Sequence, residues 1–165
     1  MPTENTDERL AALEERLEKV ESVQIALGAL RKYVDAVDAV DLDALATVFT
    51  DDAVLAIPEA KLTFTGTDEI VQTFYKNAFQ EPVVKRHFIL NSQPTWLSPG
   101  VVRIASYFLF VSSGADLAML GWGTYLDELR IVDGDAKFQR KEIILTMNSD
   151  IRTGWVLPAT GGAER

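Results

Sequence analysis

The chain has 165 residues, almost half of them apolar, no cysteine, one histidine and a formal net charge of −9. That is the length of one ordinary domain able to bury a core unaided, and the missing thiols exclude disulfides, cysteine nucleophiles and cysteine-ligated zinc or iron–sulfur centres. The acidic balance repels phosphate backbones, and basic pairs such as Lys85-Arg86 and Arg140-Lys141 are too small an electrostatic footprint for nucleic acid.

The opening residues Met1 to Arg9 are polar and acidic, the reverse of a signal peptide. Apolar stretches such as Tyr107 to Val111 fall far short of the roughly 18 residues a membrane span needs, so a soluble, cytoplasmic protein is expected. From Asp7 onward, Leu10, Leu13, Leu17, Val20, Leu27, Leu30, Val34 and Val37 recur at spacings of three, four or seven, which predicts one or two helices over residues 7–39. The stretch from Leu10 to Val20 reads either as a dimerising arm or as a helix laid on its own domain.

Asp41 is placed to cap a short helix predicted from Leu42 to Phe49, ended by Thr50-Asp51-Asp52. Ala53 to Ile57 and Leu62 to Thr65 read as strands around Pro58-Glu59, and Thr67-Asp68-Glu69 opens a helix running to about Phe79. Four long apolar-rich stretches follow, 85–97, 101–113, 117–131 and 136–147, separated by Ser98-Pro99-Gly100, Ser113-Gly114-Ala115 and Asp133-Gly134. Helices first and an antiparallel meander afterwards predict an α+β domain in which a curved sheet wraps around helices. The organisation expected is an N-terminal arm over 1–20, one domain over 21–155 and a fraying tail over 156–165.

Motifs for nucleotides are missing: no phosphate-binding loop occurs, and Gly121-Trp122-Gly123 lacks the third glycine and the following helix of a dinucleotide fingerprint. There is no Gly-x-Ser-x-Gly elbow, and any metal site would have to be built around one histidine plus carboxylates, so neither metal nor cofactor is expected. His87 is the one side chain whose ordinary pKa, about 6.5, lies near neutrality, which makes it the natural proton acceptor; otherwise it is a satisfied structural histidine. Trp96, Phe108, Phe110, Met119, Trp122 and Tyr125 are candidates for the walls of an apolar pocket, and strand alternation must turn about half of them elsewhere. Asp38 lies in an acidic run at a helix end, and spacing alone does not distinguish it.

The segment Tyr33 to Val54, with Asp38, Asp41, Phe49 and Asp51-Asp52, resembles the opening of SnoaL-like proteins of the nuclear transport factor 2-like superfamily. Phe64-Thr-Gly66-Thr-Asp-Glu-Ile70, Arg86-His87-Phe-Ile-Leu-Asn91, Gly123-Thr-Tyr-Leu-Asp-Glu-Leu-Arg130, Asp133-Gly134 and Ser149-Asp-Ile-Arg152 continue the likeness in the same order, so that it covers residues 8–155. The resemblance implies a cone-shaped α+β barrel, with N-terminal helices packed in a strongly curved antiparallel sheet around one small-molecule pocket. Members such as scytalone dehydratase, hexachlorocyclohexane dehydrochlorinase and bile-acid dehydratase carry an aspartate–histidine dyad, which matches Asp38 and His87 here. By the same likeness Tyr33 is a pocket phenol able to donate to a developing oxyanion. Arg152 reaches the pocket from the last strand, unless it is only a surface ion pair. Ile57, where the dehydratases carry a tyrosine, is by the same likeness a substrate-contacting position of the pocket, and the chain departs from them there and near Ser112, where they carry a second histidine.

The activity implied is that of a cofactor-independent lyase or isomerase, in which His87, supported by Asp38, removes a proton from carbon in a small, largely apolar molecule. The other reading is a non-catalytic ligand-binding or assembly subunit, because segments 86–91 and 107–111 also resemble the small subunits of ring-hydroxylating dioxygenases. The sheet face left uncovered by helices is expected to pair with a second copy in a homodimer.

Overall fold

The computed structural model describes residues 6–78, 84–114 and 118–152. Helix α1 (Thr6–Ala39) is continuous over 34 residues, and its two halves do different things. From Ser22 onward one face is buried, with Ala26, Ala29 and Ala36 letting the backbone approach the sheet and Leu30, Tyr33 and Val37 filling the space between. Before that point the helix extends beyond its own domain: Leu10, Leu13, Leu17 and Val20 remain 53–60% exposed. The arm is therefore not laid on the domain that carries it.

Helix α1 ends at Val40, which adopts a left-handed φ of 59°. The turn is closed by the Asp41 N–H donating to the Ala36 carbonyl at 2.9 Å. Glycine is the usual residue in this conformation, and a β-branched side chain there is strained. Asp41 then caps α2 (Leu42–Thr47), its side chain accepting from the Ala44 N–H at 2.9 Å.

The helix expected to reach Phe49 stops two residues earlier, and Phe49-Thr50-Asp51-Asp52 open strand β1 (Phe49–Ile57) instead. Burial decides this: the Phe49 ring packs against Tyr33, Tyr75 and Phe138, and Phe138 donates its N–H to the Val48 carbonyl, so the chain is already in the sheet. A 3-10 turn at Pro58–Ala60 leads to β2 (Leu62–Thr65). Helix α3 (Thr67–Glu69) continues through a π-helical stretch, Ile70–Tyr75, into α4 (Lys76–Ala78); the helix end expected near Phe79 lies outside the described residues.

Strands β3 (Val84–Ser98), β4 (Val101–Ser113), β5 (Ala118–Val132) and β6 (Asp135–Asp150) form the long meander. The sheet order is β2-β1-β6-β5-β4-β3, antiparallel throughout except for the parallel pair β1–β6, so the sheet is curved but not closed and β3 is a free edge. Register shifts in β3 between Leu90 and Gln93, and in β6 opposite Glu128/Leu129 and Trp122/Gly123, mark bulges. Each bulge bends the strand and switches which residue parity faces inward. The curved sheet wraps α1 and the π-helical segment, and the core lies between them. On the convex side Phe88, Leu90, Tyr107, Val111 and Leu126 are exposed. Among the described residues no helix is long and apolar enough to cross a membrane. The expected tail, from Thr153, lies outside the described residues.

Replacing Val40 with glycine removes the left-handed strain and is expected to raise stability by about 1 kcal/mol, measured by urea denaturation. An unchanged or lower midpoint would show that the turn carries no strain.

Candidate active site

Two elements meet at the free edge of the sheet. Asp38 sits in the last turn of α1, and His87 is the fourth residue of edge strand β3. The Asp38 carboxylate accepts the His87 backbone N–H at 3.0 and 3.1 Å and lies 2.6 Å from the ring Nδ1. One carboxylate thus satisfies an edge N–H and fixes the imidazole, with the proton on Nδ1 and Nε2 left as the acceptor. The Arg86 guanidinium stands 3.6 Å from the same carboxylate. Both side chains of the dyad are sheltered, at 13% exposure for His87 and 4% for Asp38. Burial holds the imidazole below its ordinary pKa, against the opposing pull of Asp38 and with help from the Lys85 and Lys141 charges.

The His87 ring stacks on Phe110, 5.6 Å between centroids, and lines a cavity of about 450 Å³. Tyr33, Ile57, Phe108, Phe110 and Tyr125 line the same cavity, each of them a site residue named from the sequence. Two glycines make that wall possible. A Cβ on Gly121 would lie 2.5 Å from the Phe110 ring, and one on Gly123 would lie 2.0 Å from the Ile144 carbonyl oxygen and 2.8 Å from the Phe108 ring. Gly121-Trp122-Gly123 is therefore a packing device that lets two phenylalanines lie across β5.

A sequence profile of the SnoaL-like domain matches residues 16–142. The chain belongs to the SnoaL-like family. Solved structures agree with that assignment at the level of the fold. A candidate scytalone dehydratase from Novosphingobium aromaticivorans DSM 12444 is similar with a TM-score of 0.74 and 22% identity over 89% of this chain and 98% of that one. Hexachlorocyclohexane dehydrochlorinase LinA-type3 from Novosphingobium barchaimii LL02 gives 0.71 and 18% over 87% and 99%. The β subunit of a candidate aromatic-ring-hydroxylating dioxygenase from N. aromaticivorans DSM 12444 gives 0.64 and 13% over 76% and 89%. No curated protein matches the sequence.

In this SnoaL-like domain four of the residues named from the sequence stand apart from the dyad's cavity. Trp122 points to the convex side, where it lines a groove with Leu90, Tyr107 and Thr146, because β5 turns its odd-numbered residues inward. Met119 pairs with the lining residue Ser112 and with Asp150 but does not itself line the cavity. Arg152 is half-exposed and forms an ion pair with Asp150, which draws the Asp150 carboxyl down to about 2. Trp96 packs against the core and takes the Lys19 ammonium over its ring at 4.7 Å.

The cavity also contains groups that sequence reasoning did not find. Tyr75, carried by the π-helical stretch, donates its hydroxyl to the Tyr33 oxygen at 2.8 Å. Burial raises the Tyr33, Tyr75 and Tyr125 phenols well above their ordinary pKa, so all three stay neutral and able to donate. Lys85, Ser112 and Asn148 add polar groups where β3 begins and β4 and β6 finish. Beneath the phenols lies a fully buried ion pair, Lys141 Nζ to Asp127 at 3.0 Å. The ammonium also stands 4.0 and 3.7 Å from the ring centroids of Tyr33 and Tyr125. Burial pushes the Asp127 carboxyl up to about 6, against the pull of Lys141, and the Lys141 ammonium down. Among the described residues no three His, Asp or Glu side chains cluster in a way that could hold a metal ion.

Lys141→Met leaves Asp127 buried without its cation and is expected to cost about 3–5 kcal/mol in denaturant unfolding, whereas Lys141→Met with Asp127→Leu recovers most of that loss. Equal losses in the single and double variants would mean that packing volume, not charge pairing, sets the cost.

Proposed function

We propose that this SnoaL-like protein is a cofactor-independent lyase or isomerase that begins by removing a proton from carbon in a small, largely apolar substrate. The observation that carries the reading is the 2.6 Å contact between His87 Nδ1 and Asp38, formed at the wall of a largely apolar cavity. With Nδ1–H committed to Asp38, the Nε2 lone pair is the available base, and the imidazolium formed on proton transfer is stabilised by the carboxylate. The electrons of the broken C–H bond move into an enolate, whose oxygen is met by neutral phenols from the Tyr33–Tyr75–Tyr125 group. Loss of a β-leaving group then completes an elimination, and return of the proton to another carbon completes an isomerisation.

The structural likeness to a dehydrochlorinase and to a candidate dehydratase supports this class of chemistry. The likeness to a dioxygenase β subunit supports the second reading, a non-catalytic ligand-binding or assembly subunit. The preassembled dyad favours catalysis, because an assembly surface has no use for a buried base facing a cavity. Stable co-purification with an iron–sulfur oxygenase subunit would favour the scaffold instead.

The test is solvent deuterium exchange, followed by NMR, on a panel of cyclic ketones and β-substituted carbonyl compounds with apolar bodies. The native protein should catalyse exchange at the acidic carbon, His87→Gln should abolish it, and Asp38→Asn should slow it by about two to four orders of magnitude. Comparable exchange by native protein and His87→Gln would end the catalytic reading. Exchange is expected to survive exhaustive chelation; restoration by added zinc, iron or manganese after loss would contradict it. Because burial lowers the His87 pKa, the base is neutral at pH 7. The rate should therefore hold level at neutrality and fall only below the ordinary histidine range, near 6.5, as the ring takes up a proton. A rate already falling on acidification from pH 8 to 7 would contradict that assignment.

A further inference from the structure

The arm of α1 leaves a continuous row of apolar residues in water, and its charge pattern states what covers it. Residues Thr6 to Glu18 are exposed throughout, so this stretch has no support from its own domain. A helix of that length, unsupported, is marginal in water. Its apolar residues Leu10, Leu13, Leu17 and Val20 follow the 3-4-3 spacing of a heptad seam, Leu10 and Leu17 at a, Leu13 and Val20 at d. The side of α1 buried in its own barrel is a different one: Ser22, Ala29 and Ala36 fall at f, Ala26 and Tyr33 at c, and Leu30 and Val37 at g. None of the buried residues falls at a or d, and within the arm the a and d residues Leu10, Leu13, Leu17 and Val20 stay exposed and open to a partner helix.

With this phase, Arg9 and Arg16 occupy g, and Glu14 and Glu21 occupy e. Every g position of the arm is a cation, and the e position five residues later is an anion. In a parallel, in-register pair of arms this sets Arg9 against Glu14 of the second copy and Arg16 against its Glu21, twice over by symmetry. In an antiparallel pair g meets g and e meets e, which sets arginine against arginine and glutamate against glutamate. Flanking charges of this kind decide partner and orientation in coiled coils. We propose that the arm forms a parallel, in-register two-stranded coiled coil with a second copy of this chain, ending where Gln24 interrupts the seam at an a position. The proposal is independent of the catalytic reading. It assigns the dimer contact to the arm of α1 and not to the convex sheet face, whose exposed Phe88, Leu90 and Tyr107 carry no pattern that names an occupant.

Sedimentation of the full chain from micromolar to sub-millimolar concentration tests it. The native protein should dimerise. Arg9→Glu with Arg16→Glu, and separately Glu14→Arg with Glu21→Arg, should each weaken dimerisation by about tenfold or more, since attractive pairs become repulsive ones. Mixing the two variants in equal amounts should restore the dimer. These substitutions lie on solvent-facing helix, and circular dichroism at high concentration confirms that each variant is folded. Because the chain has no cysteine, Leu13→Cys reports orientation: under mild oxidation it should give a disulfide-linked dimer, as d faces d in a parallel pair. A monomer at every concentration, a dimer indifferent to both charge reversals, or cross-linking confined to mixtures of Leu13→Cys with Leu17→Cys would each overturn the proposal.

Discussion

The carboxylate of Asp38 accepts both the backbone N–H and the ring N–H of His87, and this double contact joins the end of a helix to the free edge of a sheet. An edge strand leaves its outward N–H groups unpaired, and a sheltered one must find an acceptor. Here the acceptor is the same group that orients the imidazole, so packing and chemistry place one demand on the same position. The strained Val40 turn two residues later follows from it: α1 must stop immediately after Asp38 so that the chain can turn back through α2 into β1. Strain of that kind is kept where surrounding structure over-determines it, often beside functional groups.

Behind two of the cavity's phenols lies a costlier device. Lys141 and Asp127 are both removed from water, and a pair so placed contributes little net stability even with good geometry. Its contribution is positional. The ammonium lies against the faces of Tyr33 and Tyr125, with a third ring, Phe138, at 4.7 Å, and Tyr33 is in turn hydrogen-bonded to Tyr75. Moving any one of these groups leaves a buried charge or hydroxyl without a partner, which is what holds the phenols steady in the cavity they share with His87.

How much of this was legible in the sequence varies with the physical signal. Helical periodicity, turn residues and strand spacing placed the elements within a few residues, because each depends on local chemistry. Asp38 was distinguishable from Asp35 and Asp41 only through resemblance, since the contact that separates them spans 49 residues of chain. Ile57, Phe108, Phe110 and Tyr125 could be named as wall candidates, but alternation that turns Trp122 outward could not be phased without knowing the strand register. In the sequence Lys141 stands only as half of a basic pair with Arg140. The bulge opposite Glu128/Leu129 resets the parity of β6, so that Lys141 points inward while Arg140 stays exposed. Tyr75 was hidden for a similar reason, as a π-helical stretch shifts the face that an α-helical reading assigns.

The chemistry of the cavity follows from how its charges cancel. The Lys141 cation behind the phenols is compensated by Asp127, and His87 is neutral because burial lowers its pKa against the opposing pull of the Asp38 carboxylate that accepts its ring N–H. Lys85 is the one formal cation among the described lining residues, half-buried at the start of β3 rather than deep among the phenols. Phe108, Phe110, Ile143 and Leu145 make most of the remaining wall. An anionic body would therefore gain no deep counter-charge for its desolvation, whereas an apolar body carrying one carbonyl would bury its surface and present that oxygen to hydroxyl donors. Charge then develops only when the proton moves, at an oxygen facing neutral phenols and at an imidazole facing a carboxylate. Interactions that strengthen only at that moment are the ones that lower a barrier, which is why a neutral cavity beside a sheltered dyad favours proton transfer over simple binding.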